Sequence, residues 1–307
     1  MADGFHIING VAVFFGIPEF MWSGIFGFIT TVCAGLIVGV FTSSFLKKRE
    51  ERIRVSGLIF EKRVEVQRQL SSLLFKRLLF DSISVNDPDV LKLLEDFDIA
   101  DTHSEYQRSV VFDSAESCAA FIRQFRELFY ENRIWLDERT RNQLSVIQYY
   151  LEAVAGLTSY VDRVPLPDGI ELSPCERGEM RNRIIQLAGV VADNDLNAML
   201  GILDNYIAES VHKLDMRSPR HSLKWKDHRR FIRIAMHETE FGDNFSHFIE
   251  SAAVIVIDEM GLIFDSISEV YVFLDQYLDN CKDLGGALED LSRDGALDYL
   301  SRHVPSA

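Results

Sequence analysis

Residues 21–46 read MWSGIFGFITTVCAGLIVGVFTSSFL, and no side chain among them is charged. At about 1.5 Å of rise per residue, a helix of that length crosses a hydrocarbon core of roughly 30 Å with some tilt. Whatever else the chain does, it must place this run in an apolar medium. The 17 residues before Pro18 contain no Lys or Arg, whereas the run is followed at once by KKREERIR. By the positive-inside rule this charge step places the amino terminus outside and the bulk of the chain in the cytoplasm. A cleaved signal peptide would need a basic leader, a shorter apolar run and a small-residue cleavage site. The expectation is therefore a retained single-pass anchor.

Residues at four-residue spacing along the run are Ser23, Gly27, Thr31, Gly35, Gly39 and Ser43. Small side chains in register let helix backbones approach closely, and in lipid such packing replaces the hydrophobic drive for association. Gly27, Thr31, Gly35 and Gly39 are thus the expected self-association face, and a homo-oligomer the expected state. The preceding FHIINGVAVFFGI, from Phe5, is apolar but too short to span; it is expected in the outer interface or against neighbouring spans, with Trp22 as an interfacial anchor.

Helical periodicity dominates the remainder, with no recurring period-two alternation and no Gly-rich strand-to-helix turn. Apolar residues recur at spacings of three to five from Ile53 through Leu58, Ile59, Val66, Leu70, Leu73 and Leu74 to Leu78, which predicts a stalk continuing the span. Further helices are expected from Asp89, from a Ser114 cap to about Asn132, and from Asp137 to about Val164. After the linker VPLPDGIELSP come helices over 176–214, 226–240 and 244–282, and a short one from Leu284. The Asp193 to Asp195 triplet offers a possible break in the first of these, and AAVIVI from Ala252 has the β-branched content of a short strand. The expected fold class is all-α: segment and span at 1–46, a juxtamembrane stalk at 47–80, and a helical cytoplasmic sensor at 81–307.

The net charge of -15 is unevenly spread. Ten Lys and Arg face four Glu between 47 and 80, and seven face a single Asp between 217 and 233, so two islands of +6 leave the remainder near −27. For the first island, contact with anionic headgroups is the simplest reading, at about 1 kcal/mol per basic residue. The second, RSPRHSLKWKDHRRFIR, combines Arg217, Arg220, Lys224, Lys226, Arg229, Arg230 and Arg233 with Trp225. Cations interleaved with rings are what phosphates and stacked bases require, which makes these eight residues the candidate polyanion site. A solvated or headgroup-facing loop, or pairing with a neighbour's acidic surface, is the bland alternative.

Other chemistry is thin. Arg230 and His237 have the Arg-x6-His spacing of HEPN-type ribonucleases, a two-residue pattern that a basic segment readily produces. His237, Glu238, Glu240, Asp243 and His247 are metal-ligand types without a defined ligand spacing, and read as a polar surface. No P-loop or GxSxG occurs. Four scattered cysteines without a CxxC pair suit a reducing compartment. No enzyme activity, metal or cofactor is expected.

The plan of apolar segment, span, basic juxtamembrane helix and helical sensor carrying 217–233 resembles the single-pass membrane effectors of bacterial anti-phage defence, and within them the Hailong-type effectors. That resemblance implies a homo-oligomeric, channel-like protein in the bacterial inner membrane. It also implies single-stranded DNA from a partner nucleotidyltransferase as ligand, contacted by 217–233, with pore assembly by 5–46. A membrane-anchored receptor or scaffold without a pore is the second expectation, and a HEPN-like ribonuclease the third.

Overall fold

The computed structural model describes residues 5–8, 11–14, 17–96, 106–167, 171–212, 232, 234–236 and 238–281. The chain forms two compact units, Met1–Glu61 and Lys62–Ala307. The all-α expectation holds, with two small sheets added to it.

In the first unit, β1 (Phe5–Ile8), β2 (Val11–Phe14) and β3 (Ile17–Pro18) form an antiparallel sheet, with Ile8 opposite Val11 and Phe14 opposite Ile17. The apolar lead segment is therefore paired strand. Asn9-Gly10 separates β1 from β2 in sequence, a strong hairpin signal in a segment for which only an interfacial place was expected. Strand pairing satisfies backbone groups that an apolar medium would leave bare.

Helix α1 (Glu19–Phe41) starts behind Pro18, whose fixed φ suits a helix entry. From Thr42 to Leu46 the ladder widens to i→i+5 bonding, the Lys47 N–H reaching Thr42 O, and α2 (Lys47–Phe75) follows without leaving helical backbone angles. A second widened turn, Lys76–Phe80, closes on Asp81. The expected unbroken helical run from span to stalk is present. Its apolar residues, though, divide: Ile53, Leu58 and Ile59 are exposed, while Val66, Leu70, Leu74 and Leu78 are buried in the core of the second unit.

That core is built around α7 (Pro174–His212), 39 residues without interruption. The Asp193 to Asp195 triplet does not break it, for Asp195 is turned inward and bonded. Against α7 pack α3 (Pro88–Asp96), α4 (Ala115–Asn132), α5 (Glu138–Gly156), α6 (Thr158–Val161), α8 (Glu240–Asp243) and α9 (Phe245–Met260), with α10 (Ile267–Cys281) beyond. The strands β4 (Ser82–Ser84) and β5 (Gln107–Ser109) pair antiparallel beside them, Ile83 opposite Arg108.

Local chemistry sets the starts. Ser114 Oγ accepts from the Ser117 N–H, and Asp137 Oδ1 from the Thr140 N–H, so both caps lie where the sequence places them. The predicted faces are buried as well: Phe121, Phe125 and Phe129 on α4, and Leu144, Ile147, Leu151 and Val154 on α5.

Three expectations differ. The helix expected from Asp137 to about Val164 is two, α5 ending at Gly156 and α6 covering Thr158–Val161. The single helix expected over 244–282 is two, because Gly261 adopts φ 58° and ends α9 in a left-handed turn that costs glycine nothing. Ala252 to Ile257 is helix despite its β-branched residues. All ten residues from Phe248 to Ile257 are buried, the mark of a helix surrounded by others, and packing outweighs a propensity of tenths of a kcal/mol. The expected helices over 226–240 and from Leu284 lie largely or wholly outside the described residues.

At one position α7 tolerates no side chain. A Cβ on Gly189 would stand 2.5 Å from Phe112 Cβ, and Phe112 is fully buried. Gly189→Ala is expected to destabilise by about 1–3 kcal/mol through overpacking, whereas Gly201→Ala on the same helix, with nothing within 4 Å, gains up to about 1 kcal/mol. Thermal unfolding followed by circular dichroism measures both.

Candidate functional site

In the first unit, Met21–Phe41 has a mean hydropathy of 2.2 and no buried residue, so it is long and apolar enough to cross a membrane. Phe28, Leu36, Ile37, Val38 and Val40 project from it, each more than 60% exposed. On the small-residue face a Cβ at Gly27, Gly35 or Gly39 would meet nothing within 4 Å, and Thr31 Oγ1 donates to Gly27 O at 2.8 Å. Thr30 Oγ1 does likewise to Phe26 O at 2.7 Å. The face is smooth, and its hydroxyl protons are already bonded within the helix.

Of the polyanion candidates, Arg217, Arg220, Lys224, Trp225, Lys226, Arg229, Arg230 and Arg233 all lie outside the described residues, as does His237 of the ribonuclease pair. The structure instead describes the residues that precede and follow the basic segment in the chain. On its amino side, the last turns of α7 are tied to α2 and α5. Gln67 Nε2 donates to Ser210 Oγ at 3.0 Å and lies 3.4 Å from Asp137 Oδ2, and Arg139 pairs with Glu209 at 2.9 Å.

On its carboxyl side, the chain is clamped by Asp195, only 8% exposed. Asp195 Oδ1 accepts from the Glu240 N–H at 2.9 Å, and Oδ2 accepts from the Phe241 N–H at 2.9 Å and the Tyr150 hydroxyl at 2.8 Å. Burial raises the Tyr150 pKa well above the usual tyrosine range, with the neighbouring Asp195 adding to it, so Tyr150 stays a donor. Asn194 Nδ2 holds the Glu240 side chain at 3.3 Å, and the Phe241 ring stands edge-on to Tyr150 and stacks on Phe248. Neither Asp195 nor Gln67 was singled out as a site from sequence. Their partners are 45 and 143 residues away, and no local pattern records that.

Of the metal-ligand types downstream, those among the described residues are not brought together: Glu240 is held by Asn194, and His247 Nδ1 lies 3.8 Å from the buried Glu250. Among the described residues no three His, Cys, Asp or Glu converge as a metal site. A polar cleft lined by Asp89, Lys92, Arg183, Asp258 and Glu259 occupies the junction of α3, α7 and α9. Arg183 bridges Asp89 at 3.1 Å and Glu259 at 2.6 Å there, which makes the cleft a staple of three helices. No family model, curated protein or solved structure matches this chain.

Proposed function

We propose that the chain is a homo-oligomeric, channel-like membrane effector of bacterial anti-phage defence. A polyanion bound at 217–233 on the cytoplasmic side, single-stranded DNA or a nucleotide, biases it between closed and open. The observation that carries the reading is the state of α1: an uncharged helix of spanning length, unburied along Met21–Phe41, whose glycine face is open for a second helix. Copies associating through Gly27, Thr31, Gly35 and Gly39 would cover that face, and the basic turns from Lys47 would rest on headgroups. A ligand shifts such an assembly only by binding its two states with different affinity.

Replacing Gly35 and Gly39 together by Leu is expected to weaken self-association in detergent at least about tenfold, or about 1.4 kcal/mol, as measured by crosslinking and analytical ultracentrifugation. A variant that assembles like the wild type removes this face from the proposal.

One observation favours the pore-free receptor or scaffold as second reading. The span has no Asp, Glu, Lys, Arg or His and its Thr30 and Thr31 protons are spent internally, so a conducting path would be lined largely by apolar rings and gate by dewetting. Release of a small dye from liposomes carrying the purified protein separates the two. Release that responds to an oligonucleotide supports the effector, and an assembled protein that never releases dye leaves the scaffold.

A further inference from the structure

A 3-10 turn, Arg133–Trp135, joins α4 to α5. Its root is fixed: Leu136 is buried, Trp135 packs against the core, and Arg63 Nε of α2 donates to Trp135 O at 3.1 Å. Its tip is exposed. Ile134 is 74% exposed, and Tyr130, four positions earlier near the end of α4, is 50% exposed. The Arg133 guanidinium stands 6.0 Å from the centre of the Tyr130 ring. One exposed apolar side chain needs no explanation, but an isoleucine held out on a fixed turn among a tyrosine, an arginine and a tryptophan has the make-up of a bilayer-interface contact. Ring bodies and the arginine stem can lie among acyl chains while hydroxyl, indole N–H and guanidinium stay with the headgroups.

A bilayer is also within reach of this turn. Arg63 is the second residue of the carboxyl unit, which begins at Lys62, and Lys62 follows Leu46 by 16 positions, at most about 58 Å of chain. Such a tether lets a small apolar contact count, because the tether supplies the local concentration. The arrangement is confined to one end of the unit. Arg139, just past the turn, pairs with Glu209 near the end of α7, whereas Glu259 pairs with Arg183 near its start. Arg183 and Glu209 are 26 positions apart, about 39 Å of helix. Ile263, four positions after Glu259, is also 74% exposed, yet Asp258, Glu259 and Asp265 flank it and no Lys or Arg occurs over 251–281. Unbalanced carboxylates resist entry into headgroups. Around Ile134, by contrast, Arg133 and Arg139 balance Glu131 and Glu138, which leaves the apolar contact to decide.

We infer that the turn Arg133–Trp135, with Tyr130, is a second membrane contact: Ile134 inserts into the headgroup boundary of the bilayer that anchors the apolar helix. This rests on the membrane reading of Met21–Phe41.

The test uses the full-length protein in phosphatidylcholine liposomes, with bimane on single cysteines and lipids carrying a nitroxide on the acyl chain. Cys33 and Cys175 are the exposed native thiols; Cys118 and Cys281 are buried, and burial pushes their pKa values up to about 12 and about 11, so they stay unlabelled. Cys33, with Cys175→Ser, reports the span. Ile134→Cys and Ile263→Cys, each with Cys33→Ser and Cys175→Ser, report the two ends of the unit. The nitroxide is expected to quench the label at Ile134→Cys by at least about half, as for a side chain about 5–10 Å into the headgroup boundary, and to leave Ile263→Cys unchanged. Added phosphatidylglycerol should alter neither result. With the label at Glu131→Cys instead, Tyr130→Gln and Ile134→Gln together should lower quenching at least about twofold, at an unchanged melting temperature. Quenching that survives this pair, or that is equal at Ile263→Cys, overturns the inference. So does a blue-shifted label at Ile134→Cys that the nitroxide does not reach, which means that a second copy covers the turn. Quenching at Cys33 without quenching at Ile134→Cys overturns the inference and leaves the span intact. Absence of quenching at Cys33 overturns both.

Discussion

Asp195→Ala is expected to lower the stability of the carboxyl unit by about 3–5 kcal/mol. Three donors, the Tyr150 hydroxyl and the Glu240 and Phe241 amides, converge on this one carboxylate inside the core. Removing it leaves each facing protein without an acceptor, at about 1–3 kcal/mol per orphaned group less whatever relaxation recovers. Set against a typical domain stability of about 5–15 kcal/mol, that is a large share, equivalent to a fall in melting temperature on the order of 10 °C. Thermal unfolding of the full-length protein followed by circular dichroism gives the number. Asp195→Asn keeps an acceptor oxygen but turns an NH2 group toward the donors, so it should fall between. Tyr150→Phe placed on Asp195→Ala removes one orphan and should recover about 1 kcal/mol. A loss below about 1 kcal/mol for Asp195→Ala would mean that the clamp is not what returns the chain to the core at α8.

Reversing Arg229, Arg230 and Arg233 to Glu is expected to weaken binding of a single-stranded oligonucleotide by about 100-fold or more at low salt. Each cation that neutralises a phosphate contributes about 0.7 to the slope of log affinity against log salt on a single strand. Losing three contacts should therefore flatten that slope by about two units, before the repulsion of three new carboxylates is counted. The seven cations of 217–233 set a ceiling of about five on the wild-type slope. Fluorescence anisotropy at several salt concentrations measures both quantities. An unchanged affinity, or a wild-type slope near zero, would remove 217–233 as the polyanion site. Unchanged melting temperature in the same variant keeps the result a statement about binding.

Much of this protein is legible along the chain because its physics is local. The uncharged run, the caps at Ser114 and Asp137 and the one-sided faces of α4 and α5 all follow from residues within a few positions of one another. The Asn9-Gly10 signal between β1 and β2 was equally local and went unread, because apolar content was weighed there ahead of turn chemistry. The proposed site is legible in composition only: seven cations and a tryptophan in 17 residues state a preference for phosphates but not an arrangement.

The sequence by itself determined that one uncharged run is long and apolar enough to cross a membrane as a helix, that helices make up nearly all the rest, and where several of them begin, because span length, caps and periodicity are properties of neighbours. Tertiary structure decided the remainder. It chose which of the stalk's apolar residues are covered, kept α7 whole through Asp193 to Asp195, held Ala252 to Ile257 helical, and found partners for Gln67 and Asp195. The reason is that burying a polar group or a β-branched helix turns on what packs against it, and here the packing partners come from tens to more than a hundred residues away.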